Sequence, residues 1–269
     1  MTPETSHAAG IAYLRRAGTS LPLVLLHGIG SHGDSWRSVM RALDPSIDAI
    51  AWYAPGYGAS DPLTESMPTP ASYADRLAQF LDALGLDRVV LAGHSLGTLF
   101  AARFAVAHPA RVAALALLSP ALGYGVAPGS PLPPAIRARI DDLERLGPDS
   151  FAAARAARLV SRFVENPAVM AGVQRAMASV RLPGYAQAVW ALGAGTLLAD
   201  AARIAAPTLV AVGTDDVVTP PANARAVHAA LPTPLALELI PRAGHALPQE
   251  APSGVANLLG TLMPENAHV

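Results

Sequence analysis

The 269-residue chain contains no cysteine. That absence removes disulfides, thiolate-bound zinc, iron–sulfur clusters and a cysteine nucleophile. Lysine is missing as well, so all 19 Lys/Arg positions are arginine. A lysine Schiff base and a phosphate-binding P-loop, both of which need lysine, are excluded. Nor is there an excess of either charge. The 19 cations face 20 Asp and Glu, a net charge of −1 with histidine neutral. No basic field therefore invites nucleic acid or an acidic membrane. The apolar runs at 21–26 and 112–118 are far shorter than the roughly 18 residues that would span a bilayer. The opening MTPETSHAAG has neither the basic nor the apolar region of a secretory signal. A cytoplasmic protein is expected, with no nucleic-acid or membrane partner. No histidine pair has ligand spacing, and no G-x-G-x-x-G follows a first strand, so no metal, nucleotide or flavin is expected.

What is there is apolar. Hydrophobic residues make up 52% of the chain and charged residues 14%, too apolar for a disordered polymer and enough for a substantial core. At roughly 150 residues per domain, one or two domains fit, as does a single α/β domain with an insertion. Short apolar runs at 10–15, 23–27, 47–53, 88–92, 112–118, 208–212 and 235–240 predict strands. Bounded by Gly and Pro, they read as strands buried on both faces of a parallel sheet. Helical spacing falls between them at 72–84, 96–107 and 222–231. This alternation predicts an α/β fold with right-handed crossovers. One block breaks the rhythm. Between about 121 and 199 the pattern predicts helices near 135–146, 149–163, 167–180 and 184–198, and no strand. Seventy-odd residues exceed one crossover, so the block reads as a helical lid over a core formed by 1–120 and 200–269.

The strongest motif is Gly93–His94–Ser95–Leu96–Gly97, a G-x-S-x-G between a predicted strand and a predicted helix. That context is the one a nucleophile elbow requires. A sharp strand-to-helix turn lifts the Ser95 hydroxyl above the sheet edge, at a helix start whose dipole favours developing negative charge. Small residues two before and two after let neighbouring backbone pass close by.

With this motif in place the chain resembles the serine hydrolases of the α/β-hydrolase fold, with a mostly parallel central sheet flanked by helices and a helical cap. The resemblance covers nearly the whole chain. HGIG at 27–30, APGYGASD at 54–61 and GHSLG at 93–97 each follow a strand, and an acid and a histidine follow late strands. The order Ser, acid, His is the one this fold uses. The loop GTDDVVTP at 213–220 offers Asp215 and Asp216; its similarity to the family pattern G-x-x-D-x-x-x-P selects Asp216, leaving Asp215 as a capping or solvent-facing residue. The segment after the preceding strand, LSPA at 118–121, holds no alternative carboxylate. Of eight histidines only His245 follows the last predicted strand, in a G-H like the family's. His27 and His94 are expected to tie loops together. His7, His32, His108, His228 and His268 read as surface residues, His32 with a possible place at a pocket rim. The expected oxyanion donors are the backbone N–H of Leu96 and, by resemblance, that of Ile29.

A serine at 95 argues against the dehalogenases and epoxide hydrolases of this fold, which use aspartate there. HGIG also lacks the proline that epoxide hydrolases usually carry. The resemblance implies hydrolysis of a carboxylic ester or lactone of a small, largely apolar molecule, as in small carboxylesterases and enol-lactonases. A carbon–carbon bond hydrolase of a ring-cleavage product, a cofactor-free peroxidase and a non-catalytic binding protein of the same fold remain alternatives. In the lid, Leu146, Phe151, Phe163, Met170, Met177 and Trp190 are candidates to line an apolar pocket. Arg137, Arg158, Arg162 and Arg181 are candidates to hold a substrate carboxylate. Nothing in the pattern sets the oligomeric state.

Overall fold

The computed structural model describes residues 3–162 and 165–264. Its strands are β1 Glu4–Ala8, β2 Ile11–Arg16, β3 Leu23–Leu26, β4 Ala49–Trp52, β5 Val89–His94, β6 Val112–Leu118, β7 Thr208–Gly213 and β8 Pro234–Ile240. They form one sheet in the order β1-β2-β4-β3-β5-β6-β7-β8. β2 runs antiparallel to both β1 and β4, and every pairing from β4 to β8 is parallel. β3, β4, β5 and β7 are buried at every residue, as parallel strands covered by helices on both faces must be.

The helices are α1 Arg37–Ala42, α2 Pro70–Ala83, α3 Leu96–Ala107, α4 Pro134–Arg155, α5 Pro167–Ala178, α6 Gly184–Ala194, α7 Leu197–Ala201, α8 Pro221–Ala230, α9 Leu247–Glu250 and α10 Pro252–Gly260. α2 packs on α3, α3 on α7, and α7 on α8, while α1, α9 and α10 form a separate packed group. α2 begins two residues before its apolar pattern does. Thr69 caps it in a reciprocal box with Ser72, and Pro70 takes the first turn, where a missing N–H costs nothing. The rings of Tyr73 on α2 and Phe100 on α3 stack at 4.0 Å. This contact steadies α3, the helix that starts next to Ser95.

Two elements differ from the expectation. β1 has no counterpart in it, because ETSHA is largely exposed and carries no apolar alternation. Backbone pairing recruits it, with Ala8 packed against the core, through a tight turn in which Ala9 and Gly10 both have positive φ, the geometry that matches strand twist in a hairpin. β8 was expected to be buried on both faces. It is instead an edge strand, with Leu235 and Leu239 exposed.

Between β6 and β7 the described residues form helices and loops and no strand. The helices expected at 135–146 and 149–163 are two arms of α4, broken where Gly147 takes φ +72° and ψ 166° just before Pro148. The second arm stops at Arg155 and tightens into a 3-10 turn, Ala156–Leu159; Phe163 lies outside the described residues. The helix expected at 184–198 is likewise two, α6 and α7, separated by an extended Gly195. α7 packs with the sheet-flanking helices α3 and α8. A boundary at 199/200 therefore cuts a helix that packs with the core.

Candidate active site

Ser95 occupies the junction of β5 and α3 with φ 53° and ψ −116°. No helix or strand uses this conformation, and holding it costs on the order of 1–3 kcal/mol. Its surroundings enforce it. Ser95 N donates to the Leu118 carbonyl at 2.9 Å, and the Ser95 carbonyl accepts from Thr98 N at 3.0 Å and Thr98 Oγ1 at 2.5 Å. The flanking glycines are a steric requirement. A Cβ on Gly93 would come within 2.4 Å of the Gly97 carbonyl oxygen, and one on Gly97 within 2.4 Å of the Leu26 carbonyl oxygen.

The Ser95 hydroxyl lies 3.0 Å from His245 Nε2, and His245 Nδ1 lies 2.9 Å from Asp216 Oδ2. All three side chains are buried, although they come from three separate loops: after β5, after β7 and after β8. Asp216 also accepts from Val218 N and Thr219 N, each at 2.8 Å on Oδ1, and from Thr219 Oγ1 at 2.9 Å on Oδ2. Burial alone would raise its pKa. The hydrogen bond and charge of His245, with the two amides, outweigh burial and hold the carboxyl at about 2. Asp215 points elsewhere. It is exposed and accepts from Ser161 Oγ at 2.7 Å and Thr214 Oγ1 at 2.9 Å.

His27 and His94 tie loops together. His27 Nδ1 donates to the Gly28 carbonyl at 2.8 Å, and its Nε2 accepts from Ala54 N at 3.0 Å. His94 Nε2 donates to the His245 carbonyl at 2.7 Å. Burial is the main force lowering both pKa values to about 3, so both rings are neutral. Leu96 follows Ser95 as the first residue of α3, and Ile29, in the loop after β3, lines the same cavity as Ser95. No acceptor among the described residues takes either backbone N–H; for Leu96 this follows from its place in the first turn of α3. Neither amide is thus committed to an acceptor among the described residues.

A cavity of about 440 Å³ opens onto Ser95 and His245, within the roughly 300–1,000 Å³ usual for small-molecule sites. Its far wall belongs to the helical segment between β6 and β7. Of the side chains singled out there, Met177 and Arg158 line it; Leu146, Phe151, Met170 and Trp190 do not, nor do Arg137, Arg162 and Arg181. Arg137 and Arg162 pair instead with Asp141 and Glu165. Arg139, Arg155 and Tyr185 line the cavity and were not anticipated. For Arg139 a signal existed: it shares a helix face with the buried Ile136, Ile140 and Leu143, whereas Arg137 faces away. Thr219, which joins Asp216 to His245, was also missed, because a threonine in a loop has no pattern of its own.

A second set of contacts fastens the histidine loop to the helical segment. Glu250 accepts from Gly244 N at 3.0 Å and Ser161 N at 2.8 Å, and Ala246 N donates to the Leu159 carbonyl at 2.7 Å. Among the described residues no three His, Asp or Glu side chains cluster as a metal site, and no helix is long and apolar enough to cross a membrane.

The family model for the alpha/beta hydrolase fold matches residues 22–252. The dihydrolipoyllysine-residue acetyltransferase component of an acetoin cleaving system from Cupriavidus necator is 37% identical over 123 residues, 45% of this chain and 32% of that protein. A 2-hydroxy-6-oxononadienedioate/2-hydroxy-6-oxononatrienedioate hydrolase from Pseudomonas putida is 36% identical over 115 residues, 41% of this chain and 40% of that protein. Both matches thus span less than half the length of these curated relatives. A thermophilic esterase from Thermogutta terrifontis, solved with malate bound, superposes with a TM-score of 0.82 at 26% identity, covering 96% of this chain and 97% of that one.

Proposed function

The chain belongs to the α/β-hydrolase fold family, and from that premise we propose that it is a serine hydrolase cleaving a carboxylic ester or lactone of a small, largely apolar substrate. One observation carries this reading: the continuous hydrogen-bonded relay from Asp216 through His245 to Ser95, at 2.9 and 3.0 Å, opening on a cavity. Ser95 Oγ attacks the substrate carbonyl while His245 Nε2 takes its proton. Asp216 holds the ring in the tautomer with hydrogen on Nδ1 and stabilises the imidazolium that forms. The backbone N–H groups of Ile29 and Leu96 receive the oxyanion. Such donors are worth about 3–4 kcal/mol each in the transition state. His245 then protonates the leaving oxygen, an acyl group remains on Ser95, and water activated by His245 releases it.

Within the segment 121–199, α4, α5 and α6 serve as a cap over a core made of 1–120 and 200–269, and α7 belongs with that core. Support comes from Arg139, Met177 and Tyr185, which reach the cavity from α4, α5 and α6. Similarity to the Pseudomonas putida hydrolase favours one second reading, cleavage of a carbon–carbon bond in a 2-hydroxy-6-oxodienoate, with the same relay.

The test is acyl-enzyme trapping. Wild-type protein mixed with p-nitrophenyl acetate should release a stoichiometric burst of p-nitrophenolate and gain one acetyl mass on the peptide containing Ser95. Release with neither burst nor adduct, together with turnover of a 2-hydroxy-6-oxodienoate, would support the second reading instead.

A further inference from the structure

Three guanidinium groups line the cavity: Arg139 from α4, Arg155 from the end of α4, and Arg158 from the 3-10 turn that follows. No carboxylate side chain lines it. Arg155 has a counterion, Asp142 at 2.8 Å, and its guanidinium carbon lies 4.9 Å from the Phe151 ring centroid. Arg139 and Arg158 have no carboxylate within 4.0 Å among the described residues, whereas Arg15, Arg37, Arg103, Arg111, Arg137, Arg145 and Arg162 each have one.

Eight of the 19 arginines have a carboxylate within 4.0 Å among the described residues, so it is the placement of Arg139 and Arg158, not their lack of a partner, that sets them apart. Two without one, on the wall of a single cavity, make that wall cationic. A solvated surface arginine is the ordinary alternative, and Arg158 alone would fit it, since it is exposed. Arg139 does not fit it. It is only partly exposed and lies on the inward face of α4. The field is felt within the cavity. Burial pushes the Tyr185 phenol up, and Arg139 and Arg155 pull against that shift.

We infer that the substrate carries a carboxylate, held by Arg139 and Arg158 at the cap wall while its ester carbonyl reaches Ser95. This inference rests on the serine-hydrolase reading and deepens it. An apolar body spans the cavity between an anionic end and a scissile end. The planar guanidinium fork suits a carboxylate, which can take two parallel N–H bonds. Arg155, held by Asp142 and Phe151, keeps the end of α4 and its 3-10 turn in place.

The experiment compares two esters matched in acyl length, the p-nitrophenyl monoester of adipate and p-nitrophenyl hexanoate. The wild type should show a ratio of kcat/KM values of about ten or more in favour of the monoester at low salt. Added sodium chloride should reduce the ratio, because partly exposed charges are screened. Arg139→Gln and Arg158→Gln should each lower it severalfold, through KM, and the double variant should bring it near one. Arg137→Gln, on the outer face of the same helix, should leave it unchanged. A wild-type ratio near one, or a ratio that survives both cavity substitutions, overturns the inference. If neither ester is turned over, the hydrolase reading fails. The anion site is then read by calorimetric binding of adipate to wild type and double variant: binding lost in the variant sustains it, and no binding to wild type overturns it.

Discussion

The ring of His94 donates its Nε2 proton to the backbone carbonyl of His245 across 2.7 Å. The residue before the proposed nucleophile thus holds the main chain of the proposed base. A charged His94 would set a second cation beside an imidazole that itself becomes positive during the reaction. Burial prevents this by keeping His94 neutral, with a pKa of about 3. His27, on the other loop beside Ser95, is kept neutral in the same way. His27 and His94 support the site by hydrogen bonds without titrating near neutrality.

That arrangement makes the fold sensitive to acid. Each ring has an ordinary pKa near 6.5 in the unfolded chain and about 3 in the folded one. Between those values the unfolded chain holds the proton and the folded chain does not, so stability falls as pH drops through this window. Well inside it the two groups together remove about 2.7 kcal/mol per pH unit. Urea denaturation at pH 5.5 and 4.5 should show this slope, and His94→Asn should roughly halve it. An unchanged slope in the variant would refute the assignment of neutral, buried rings.

The two aspartates of the loop at 213–220 should separate cleanly. Asp216→Asn should lower kcat by about 10⁴-fold, the loss typical when the base is held in the wrong tautomer. Asp215→Asn, which breaks only contacts with Ser161 and Thr214, should retain activity within a fewfold of wild type. Steady-state hydrolysis of p-nitrophenyl butyrate by both variants decides it; equal losses would contradict the geometry.

Thr219 offers a finer test. Its hydroxyl lies 2.9 Å from Asp216 Oδ2, 3.0 Å from the Ser119 carbonyl and 3.1 Å from His245 Nδ1. Removing it leaves buried acceptors short of a partner, a loss of about 1–2 kcal/mol. Thr219→Val should lower kcat roughly fivefold to thirtyfold with little change in KM, and Thr219→Ser should restore most of it. A change confined to KM would place Thr219 against the substrate instead.

The sequence exposes the parts of this molecule that repeat a strict physical pattern. Strands buried on both faces are continuous apolar runs, so β3, β5, β6 and β7 stand out. The turn around Ser95 needs glycine at 93 and 97 because backbone oxygens approach within 2.4 Å of a would-be Cβ, and that need is written as a motif. β1 is held by main-chain bonds and leaves no side-chain signature. β8 looked buried because its apolar residues, Leu235 and Leu239 among them, do not record that it lies at an edge.

The cavity wall leaves the least trace in the sequence. Its residues are set by the kink at Gly147 and by the end of α4 at Arg155, eight residues earlier than the periodicity suggests. A shift of that kind changes which arginines face the cavity. Arg158 was singled out among four; Arg139 is legible from the apolar phase of α4, and Arg155 emerges only once the end of that helix is known. Thr219 carries no pattern, because its role depends on two loops meeting.

The central claim is that Ser95 is the nucleophile, and hydrolysis of p-nitrophenyl butyrate by wild type and Ser95→Ala tests it most directly. The account predicts turnover by the wild type and a fall of about a millionfold in the variant, with the fold intact by circular dichroism. Substantial turnover remaining in Ser95→Ala would contradict it.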